Sequence, residues 1–281
     1  MIHRKIWILT LFPEYFKPLL ECGIAGSALR GERSEEIKFE VQCVNIRDYS
    51  VTKYKSVDDS PYGGGPGMVM RADILRDALM KGVVESGGYQ SKNDLQVIYT
   101  SPRGRVWNNK VAREFGREIL SHPTKDVVFI CGRYEGVDER FLEKYVDQYY
   151  SLGDYVLTGG ELAVMTILDS AVRFVPGILG NKLSSLYDSF EDGLIEYPQF
   201  TKPQDFEGIP VPEILMSGHH KNIEHWQLEQ KKIMTKKWRP DLLDGSLNVH
   251  ESESLSVLKN TLENFSDDFM SDRNQPDKQK R

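Results

Sequence analysis

Short apolar runs that alternate with helical patterns cover the first two thirds of the chain, and they restrict its fold more than any other feature. Strand-like runs lie at Lys5–Leu11, Ile37–Ile46, Leu95–Thr100, Val127–Cys131 and Tyr149–Leu157. Helical patterns lie between them at Asp73–Val84, Asn109–Ser121 and Val137–Val146. Strands that alternate with helices form βαβ units, in which helices cover both faces of a parallel sheet. We therefore predict an α/β fold with a mostly parallel sheet, whose ligands bind at the carboxyl ends of the strands.

The remaining third of the chain changes in composition from segment to segment. Gly160–Val175 reads as a helix that is apolar nearly all round, so this chain or a second subunit must cover most of it. Three serines in Asn181–Ser189 indicate a linker, and a further helix is predicted over Glu224–Trp238. After Ser246 polar residues dominate, which is typical of a disordered tail. We predict four parts, namely an α/β domain (1–178), a flexible linker (179–192), a small, mainly helical domain (193–245) and the tail (246–281).

Composition limits the class of protein. The three cysteines, Cys22, Cys43 and Cys131, form no CxxC pair, which favours reduced thiols over a disulfide framework or a zinc site. The first apolar run ends at Pro13 and reads as a strand rather than a signal peptide, and no later run has the length of a membrane span. We expect a cytoplasmic protein without a membrane partner. The net charge of −6 argues mildly against nucleic acid binding, but residues 217–240 carry six basic and two acidic side chains, a local charge of +4.

Three turns that follow predicted strand ends indicate a binding pocket. They cover residues 100–104, 132–136 and 152–160, and each contains glycine. Backbone N–H groups at such turns are available to a ligand. Each turn alone is a common connection, and Asp138 would also cap the helix that follows it. Together the turns would line one pocket for a flat, partly apolar cofactor, either a nucleotide or another flat molecule.

A glycine-rich run at Pro61–Met68 has four glycines in five residues. It is either a flexible connector or, because it also holds two prolines, a shaped loop that approaches a ligand closely. The run fits neither the Walker loop nor the dinucleotide fingerprint. The residues after the first strand also match neither of these two motifs. This argues against a nucleotide-dependent oxidoreductase or kinase.

Other polar residues carry weaker signals when taken alone. An aspartate in a serine-rich linker, such as Asp188, is normally just solvated. Its spacing from Arg173 does not by itself indicate that the two residues act together. Asp188 and Asp192 are too few carboxylates for a calcium site. The side chains of His219 and His220 diverge, which favours surface or capping roles near phosphates over a metal site.

Five motifs in one order make the chain resemble the bacterial tRNA (guanine-N1)-methyltransferases of the SPOUT superfamily. The motifs are Pro-Tyr-Gly-Gly-Gly-Pro-Gly-Met (61–68), Cys-Gly-Arg-Tyr-Glu-Gly-Val-Asp-Glu-Arg (131–140), Gly-Asp-Tyr-Val-Leu-Thr-Gly-Gly-Glu-Leu (153–162), Arg-Phe-Val-Pro-Gly (173–177) and Met-Ser-Gly-His-His (216–220). The resemblance spans about residues 5–245. It implies a SPOUT-type sheet with a deep trefoil knot at the C-terminal end of the α/β domain, and an obligate homodimer with the active site at its interface.

The resemblance also implies ligands. S-adenosylmethionine would be held by Thr100, Ser101, Pro102, Gly132, Tyr134, Glu135, Leu152, Gly153, Asp154, Tyr155, Val156, Leu157, Gly159 and Gly160. The anticodon arm of tRNA would contact Gly64, Gly65, His219, Lys231 and Lys236, with the stretch 217–240 binding phosphates. Mg²⁺ would assist, with Glu135 as the nearest matching carboxylate.

The activity implied by the resemblance is methylation of guanine N1 at tRNA position 37, immediately 3′ of the anticodon. Asp188 would be the general base, acting from the subunit opposite the cofactor, and Arg173 would assist it. Two alternatives remain open. One is an RNA-binding module that has kept the scaffold, and the other is a related enzyme that modifies a different base, because a scaffold does not fix its substrate.

Overall fold

A computed structural model describes residues 1–122, 125–179 and 188–246. The chain divides into two compact units, residues 1–186 (unit 1) and 187–281 (unit 2). Most of the predicted linker at 179–192 and nearly all of the predicted tail at 246–281 lie outside the described residues.

The core of unit 1 is a five-stranded sheet in the order β2-β1-β6-β5-β7. Its strands are β1 (Ile2–Thr10), β2 (Ile37–Asn45), β5 (Leu95–Val106), β6 (Asp126–Ile130) and β7 (Gln148–Ser151). All four neighbouring pairs are parallel. A separate two-stranded ribbon joins β3 (Asp58–Asp59) to β4 (Val69–Met70). The predicted α/β class and mostly parallel sheet are confirmed.

Helices cover both faces of this sheet. They are α1 (Lys17–Glu21), α2 (Gly23–Leu29), α3 (Ala72–Leu79), α4 (Asn109–Glu114), α5 (Glu139–Tyr145) and α6 (Glu161–Val172). Wider helical turns extend α3 through Met80–Glu85 and α4 through Phe115–Leu120. The side chains of β6 alternate between the two cores: Phe129 packs with α2, α4 and α6, and Val128 packs with α3 and α5. Burial on both faces explains why β6 is a continuous apolar run.

The strand-like pattern at Tyr149–Leu157 is a strand only as far as Ser151. Gly153 has a φ of +149°, its N–H donates to Ser151 Oγ (3.2 Å), and its carbonyl accepts from the N–H of Tyr155 (3.0 Å). This turn ends the strand, so the prediction was wrong for residues 152–157. Conversely, β5 runs past the predicted end at Thr100, but its register against β7 shifts between Thr100 and Arg105. Residues 101–104 therefore form an irregular part of β5 without register partners in β7.

The apolar helix α6 is covered mainly by unit 1 itself. Seven of its twelve residues are buried, namely Glu161, Ala163, Val164, Ile167, Leu168, Ala171 and Val172. Leu162 is the large apolar side chain of α6 that remains exposed, at 45%. Packing within unit 1 thus covers most of the apolar surface of α6, for which the sequence alone did not identify a partner.

Unit 2 contains a short hairpin and two helices among its described residues. The hairpin pairs β8 (Asp205–Phe206) with β9 (Ile209–Pro210), and the helices are α7 (His220–Trp238) and α8 (Asp241–Ser246). The predicted helix at Glu224–Trp238 begins one turn earlier, at His220. In either unit, no helix of the described residues has the length and hydropathy to span a bilayer.

The three thiols differ in burial, which predicts their reactivity. Burial raises the pKa of Cys43 to about 11 and that of the fully buried Cys131 well above its ordinary value, whereas Cys22 is exposed. The thiolate is the reacting form, so both buried thiols carry little of it at pH 8. With a thiol-specific chromogenic reagent we expect one fast-reacting group, absent in Cys22→Ser, and reaction of Cys131 only after unfolding. Three equally fast groups would contradict this arrangement.

Candidate functional site

A cavity of about 260 Å³ lies in unit 1, beside the irregular part of β5 and where β6 and β7 end. Thirteen of the fourteen residues predicted to bind a cofactor line it: Thr100, Ser101, Pro102, Gly132, Tyr134, Glu135, Leu152, Gly153, Tyr155, Val156, Leu157, Gly159 and Gly160. Asp154 belongs to the same loop but is not a lining residue. The volume is near the lower end of the ~300–1,000 Å³ typical of small-molecule pockets.

Two glycines allow the walls of the cavity to approach each other. The N–H of Gly160 donates to the carbonyl of Gly132 (2.9 Å). A Cβ on Gly160 would lie 2.7 Å from Thr100 Oγ1 and 2.9 Å from the backbone of Cys131, and a Cβ on Gly132 would lie 2.5 Å from Tyr99 Oη. Glycine is therefore required at position 160, where backbone atoms lie in the way, whereas a side chain at position 132 would displace the Tyr99 ring.

Thr100 supplies a polar atom that unit 1 leaves unsatisfied. Its Oγ1 is buried and has no hydrogen-bond partner, although the residue lines the cavity. A buried hydroxyl without a partner costs about 1–3 kcal/mol. A ligand that donates to or accepts from this hydroxyl would recover that free energy, so the cavity suits a ligand with a polar group at this wall.

The turn after β6 is held against the glycine-rich run. The N–H of Glu135 donates to the carbonyl of Met68 (3.0 Å), and the N–H of Met70 donates to the carbonyl of Gly136 (2.9 Å). A Cβ on Gly67 would lie 2.3 Å from Glu135 Oε1. The end of the run at Gly67 and Met68 is therefore a shaped loop. Its middle is different, because Gly64 and Gly65 are exposed, have positive φ angles and have nothing within 4 Å of a Cβ.

A polar network behind the cavity was missed by the sequence analysis. Arg133, which lines the cavity, donates to Glu161 Oε2 (2.9 Å) and to the carbonyl of Thr158 (3.2 Å). Thr10 Oγ1 donates to the other carboxylate oxygen of Glu161 (2.8 Å). Glu161 is 1% exposed, and the Arg133 guanidinium lies 4.5 Å from the centre of the Phe12 ring. The network thus joins β1, the turn after β6 and the start of α6.

The donor set at the cavity does not form a dedicated metal site. Among the described residues, no group of three or more His, Cys, Asp or Glu side chains would hold a metal ion. Glu135 could therefore offer Mg²⁺ one carboxylate, and such an ion would take its other ligands from water or substrate.

The remaining predicted residues lie outside the cavity lining. Arg173 follows the last turn of α6 in unit 1, half-buried, with its guanidinium 5.9 Å from the Phe174 ring centre. Asp188 is the first described residue of unit 2 and is half-buried. His219 is exposed and precedes α7, and Lys236 is exposed on that helix. Lys231, in contrast, is 7% exposed and donates to Asp192 Oδ2 at 2.6 Å.

Comparison with known proteins extends over nearly the whole chain. The family described as tRNA (Guanine-1)-methyltransferase TrmD matches residues 4–245. A tRNA (guanine-N(1)-)-methyltransferase of Actinobacillus pleuropneumoniae serotype 5b is 46% identical over 254 residues, which cover 90% of this chain and 96% of that protein. Similar enzymes by name are 45% identical in Glaesserella parasuis (89% of this chain, 93% of that protein) and 42% identical in Haemophilus influenzae strain PittGG (89% and 95%).

Removing the buried charge behind the cavity tests the Arg133–Glu161 network. In Glu161→Gln the Arg133 guanidinium loses its anionic partner in a largely buried position, which we expect to lower the free energy of unfolding by about 3 kcal/mol. The control is Glu139→Gln, which breaks the exposed pair with Arg103 and should cost about 0–1 kcal/mol. Urea unfolding of both variants measures the difference, and equal losses would contradict a special role for the network.

Proposed function

The chain belongs to the tRNA (guanine-1)-methyltransferase family, and we propose that it transfers a methyl group from S-adenosylmethionine to N1 of the guanine immediately 3′ of the anticodon. Membership makes the chain a tRNA (guanine-N1-)-methyltransferase and implies S-adenosylmethionine as the methyl donor. The proposed transfer from S-adenosylmethionine to guanine N1 rests above all on the cavity beside β5, β6 and β7, with its unsatisfied Thr100 hydroxyl.

The residues around the cavity suit the proposed donor. Gly132 and Gly160 let the backbone form a wall against which a flat group would lie, and Thr100 Oγ1 would bond to a polar atom of that group. Arg133, fixed by Glu161, keeps the turn after β6 in place without a ligand. When bound, the donor supplies an electrophilic methyl group. The backbone groups of 152–157, together with Asp154 in the same loop, would complete its binding.

The proposed chemistry of this chain is removal of a proton. Guanine N1 carries a proton and is a poor nucleophile until that proton leaves. We assign its acceptance to the carboxylate of Asp188, so that the N1 electron pair would form the new bond to the methyl carbon while the bond from that carbon to sulfur breaks and S-adenosylhomocysteine leaves. The guanidinium of Arg173 would stabilise the negative charge that grows on guanine O6 and would orient Asp188. Alignment of the two reactants supplies most of the remaining catalysis.

We also propose that two copies form a homodimer in which the Asp188 of one subunit serves the cavity of the other. Exposed apolar side chains near the cavity support this, namely Tyr155 (56%), Val156 (88%) and Leu162 (45%). Adjacent exposed apolar side chains, as at Tyr155 and Val156, are typical of an interface. The target base would leave the anticodon stack to reach the cavity, as base-modifying enzymes generally require.

A trefoil knot at this end of the sheet is part of the same proposal. The strand β7 pairs with β5 at the sheet edge, yet the chain that leaves β7 returns to the end of β6, beyond β5. There the N–H of Gly160 donates to the carbonyl of Gly132. A return of this kind from the sheet edge to β6 is what a knotted arrangement would require.

The proposed tRNA contacts lie on exposed residues of both units. They are Gly64 and Gly65 of the glycine-rich run, His219 before α7 and Lys236 on α7, together with its neighbour Lys237. Lysines at such positions would bind phosphates, whereas Lys231 is buried against Asp192.

We assign no catalytic step to an Mg²⁺ ion at Glu135. The three free thiols suit the expected cytoplasmic location.

Replacement of Asp188 tests its role as the base. We expect Asp188→Asn to bind S-adenosylmethionine as the unaltered protein does, but to lose at least about 100-fold in the rate of methyl transfer, since an amide cannot accept the proton. Calorimetry and single-turnover assays with tRNA measure the two quantities. Glu224→Gln, which removes an exposed carboxylate of α7, is the control. Transfer by Asp188→Asn at an unaltered rate would exclude this assignment.

Charge reversal on α7 tests the phosphate contacts. We expect Lys236→Glu with Lys237→Glu to raise the KM for tRNA and to make its logarithmic dependence on salt concentration shallower by about one to two, because each lost phosphate contact removes about 0.9. Steady-state assays between low and physiological salt measure both effects. Lys38→Glu, an exposed lysine on β2, should leave both values unaltered. A KM that does not respond to the double variant would place the RNA elsewhere.

A further inference from the structure

The segment that follows Asp188 is a turn closed by its own hydrogen bonds. The N–H of Phe190 donates to the carbonyl of Leu194 (2.7 Å), and the N–H of Glu196 donates to Ser189 Oγ (3.0 Å). Phe190 and Gly193 adopt positive φ angles of 76° and 80°. The two ends of residues 189–196 are therefore tied together, and Asp188 directly precedes this compact turn, which we call the Asp188 turn.

Two residues of α7 hold this turn. Lys231 Nζ donates to Asp192 Oδ2 at 2.6 Å, while Asp192 Oδ1 accepts from the N–H of Leu194 within the turn (3.2 Å). Thr235 Oγ1 accepts from the N–H of Ile195 (3.0 Å) and donates to the carbonyl of Lys231 (2.7 Å). Lys231 and Thr235 are one helical turn apart, so both face the same side of α7.

The turn is also contacted from the end of α7. The guanidinium of Arg239 lies 5.7 Å from the centre of the Phe190 ring. Arg239 is itself oriented by two hydrogen bonds to the carboxylate of Asp241, at 2.7 and 2.9 Å. The Asp188 turn thus has contacts along one face of α7 and at its end, all within unit 2.

Burial separates Lys231 from the other lysines of α7. Its side chain is 8% exposed and Thr235 is fully buried, whereas Lys236 and Lys237 are exposed. A lysine that binds an RNA phosphate must present its ammonium group to the RNA, whereas Lys231 presents its ammonium group to Asp192. A buried ion pair adds little net stability compared with apolar residues, but loss of one partner leaves the other charge uncompensated. Such a pair serves best to fix geometry.

We propose that Lys231 is a positioning residue, which with Thr235 anchors the Asp188 turn on α7 and thereby sets the position of the Asp188 carboxylate. This rests on the proposed role of Asp188 as the base. It differs from the expectation that Lys231 binds tRNA. Because a proton acceptor misplaced by about 1 Å can cost up to about 100-fold in rate, an anchor several residues away controls turnover without touching the substrate.

The test uses the full-length chain with two independent changes to the anchor. Lys231→Met removes the ammonium group but keeps most of the apolar stem, and Thr235→Val removes the hydroxyl but keeps the shape of the side chain. Thr235→Ser restores the hydroxyl, and Lys202→Met removes an exposed lysine of unit 2 outside α7. For each variant we would measure kcat, the KM for tRNA at several salt concentrations, S-adenosylmethionine binding, thermal unfolding, and hydrogen exchange of residues 188–196.

Anchoring predicts a split between kcat and KM. Lys231→Met and Thr235→Val should lower kcat by about 10- to 100-fold and speed exchange at Ile195, with KM for tRNA, its salt dependence and donor binding unaltered. Thr235→Ser and Lys202→Met should behave as the unaltered protein does. If Lys231→Met instead raises KM and makes its salt dependence shallower by about one, Lys231 is a phosphate ligand and the proposal is overturned.

The result for Asp188→Asn distinguishes the positioning role of Lys231 from the role of Asp188 as the base. If Asp188→Asn is inactive while both anchor variants keep full kcat, the positioning role is wrong and the base assignment stands. If Asp188→Asn remains active, the base assignment fails, and the positioning role fails with it. Faster exchange in Lys231→Met would then still establish the anchor as a structural feature of unit 2, and unaltered exchange would exclude even that.

Discussion

The close approach of the Gly160 backbone to the end of β6 is the constraint on which the site depends. The N–H of Gly160 reaches the carbonyl of Gly132, and neither glycine has room for a Cβ. This contact brings the segment after β7 back across the sheet edge and closes one wall of the cavity. It also places Glu161, the next residue, where it meets Arg133 and Thr10. Because Glu161 opens α6, the same contact fixes where that helix starts. One backbone contact therefore positions a wall of the cavity, the Arg133–Glu161 ion pair and the start of α6.

The pocket and the sheet were predictable because their signals are local. Apolar runs mark β1, β2 and β6 in the sequence, and glycines mark the turns after the strands. The end of β7 was not predictable in this way, since Tyr155, Val156 and Leu157 are as apolar as the strand residues but lie in a loop. What ends the strand is the backbone geometry of Gly153, together with the Ser151 hydroxyl. Periodicity cannot distinguish an apolar loop that lines a cavity from an apolar strand. Asp138 was predictable for the opposite reason: it caps α5 through a local bond to the N–H of Arg140 (3.0 Å).

Charged residues were harder to place, because their partners are distant in sequence. Lys231 and Lys236 look alike in a basic stretch, yet one is buried against Asp192 and the other is exposed. Arg133 and Glu161 both occur in the motifs that carry the family resemblance, but their sequence positions do not show that they pair. In each case the charge is paired with a carboxylate of its own unit. The structure thus divides the basic residues into those that pair with other protein groups and those that are exposed on the surface, for which we propose contacts with RNA. The resemblance, not spacing, singled out Asp188, and the Asp188 turn gives that residue a defined structural setting.

We propose that this chain methylates one atom of one base. To test this, the protein is incubated with labelled S-adenosylmethionine and bulk tRNA, and the labelled nucleotide is mapped by nuclease digestion and mass spectrometry. We expect a single product, N1-methylguanine, immediately 3′ of the anticodon. A label on another base, on another atom of guanine or at another position would contradict it.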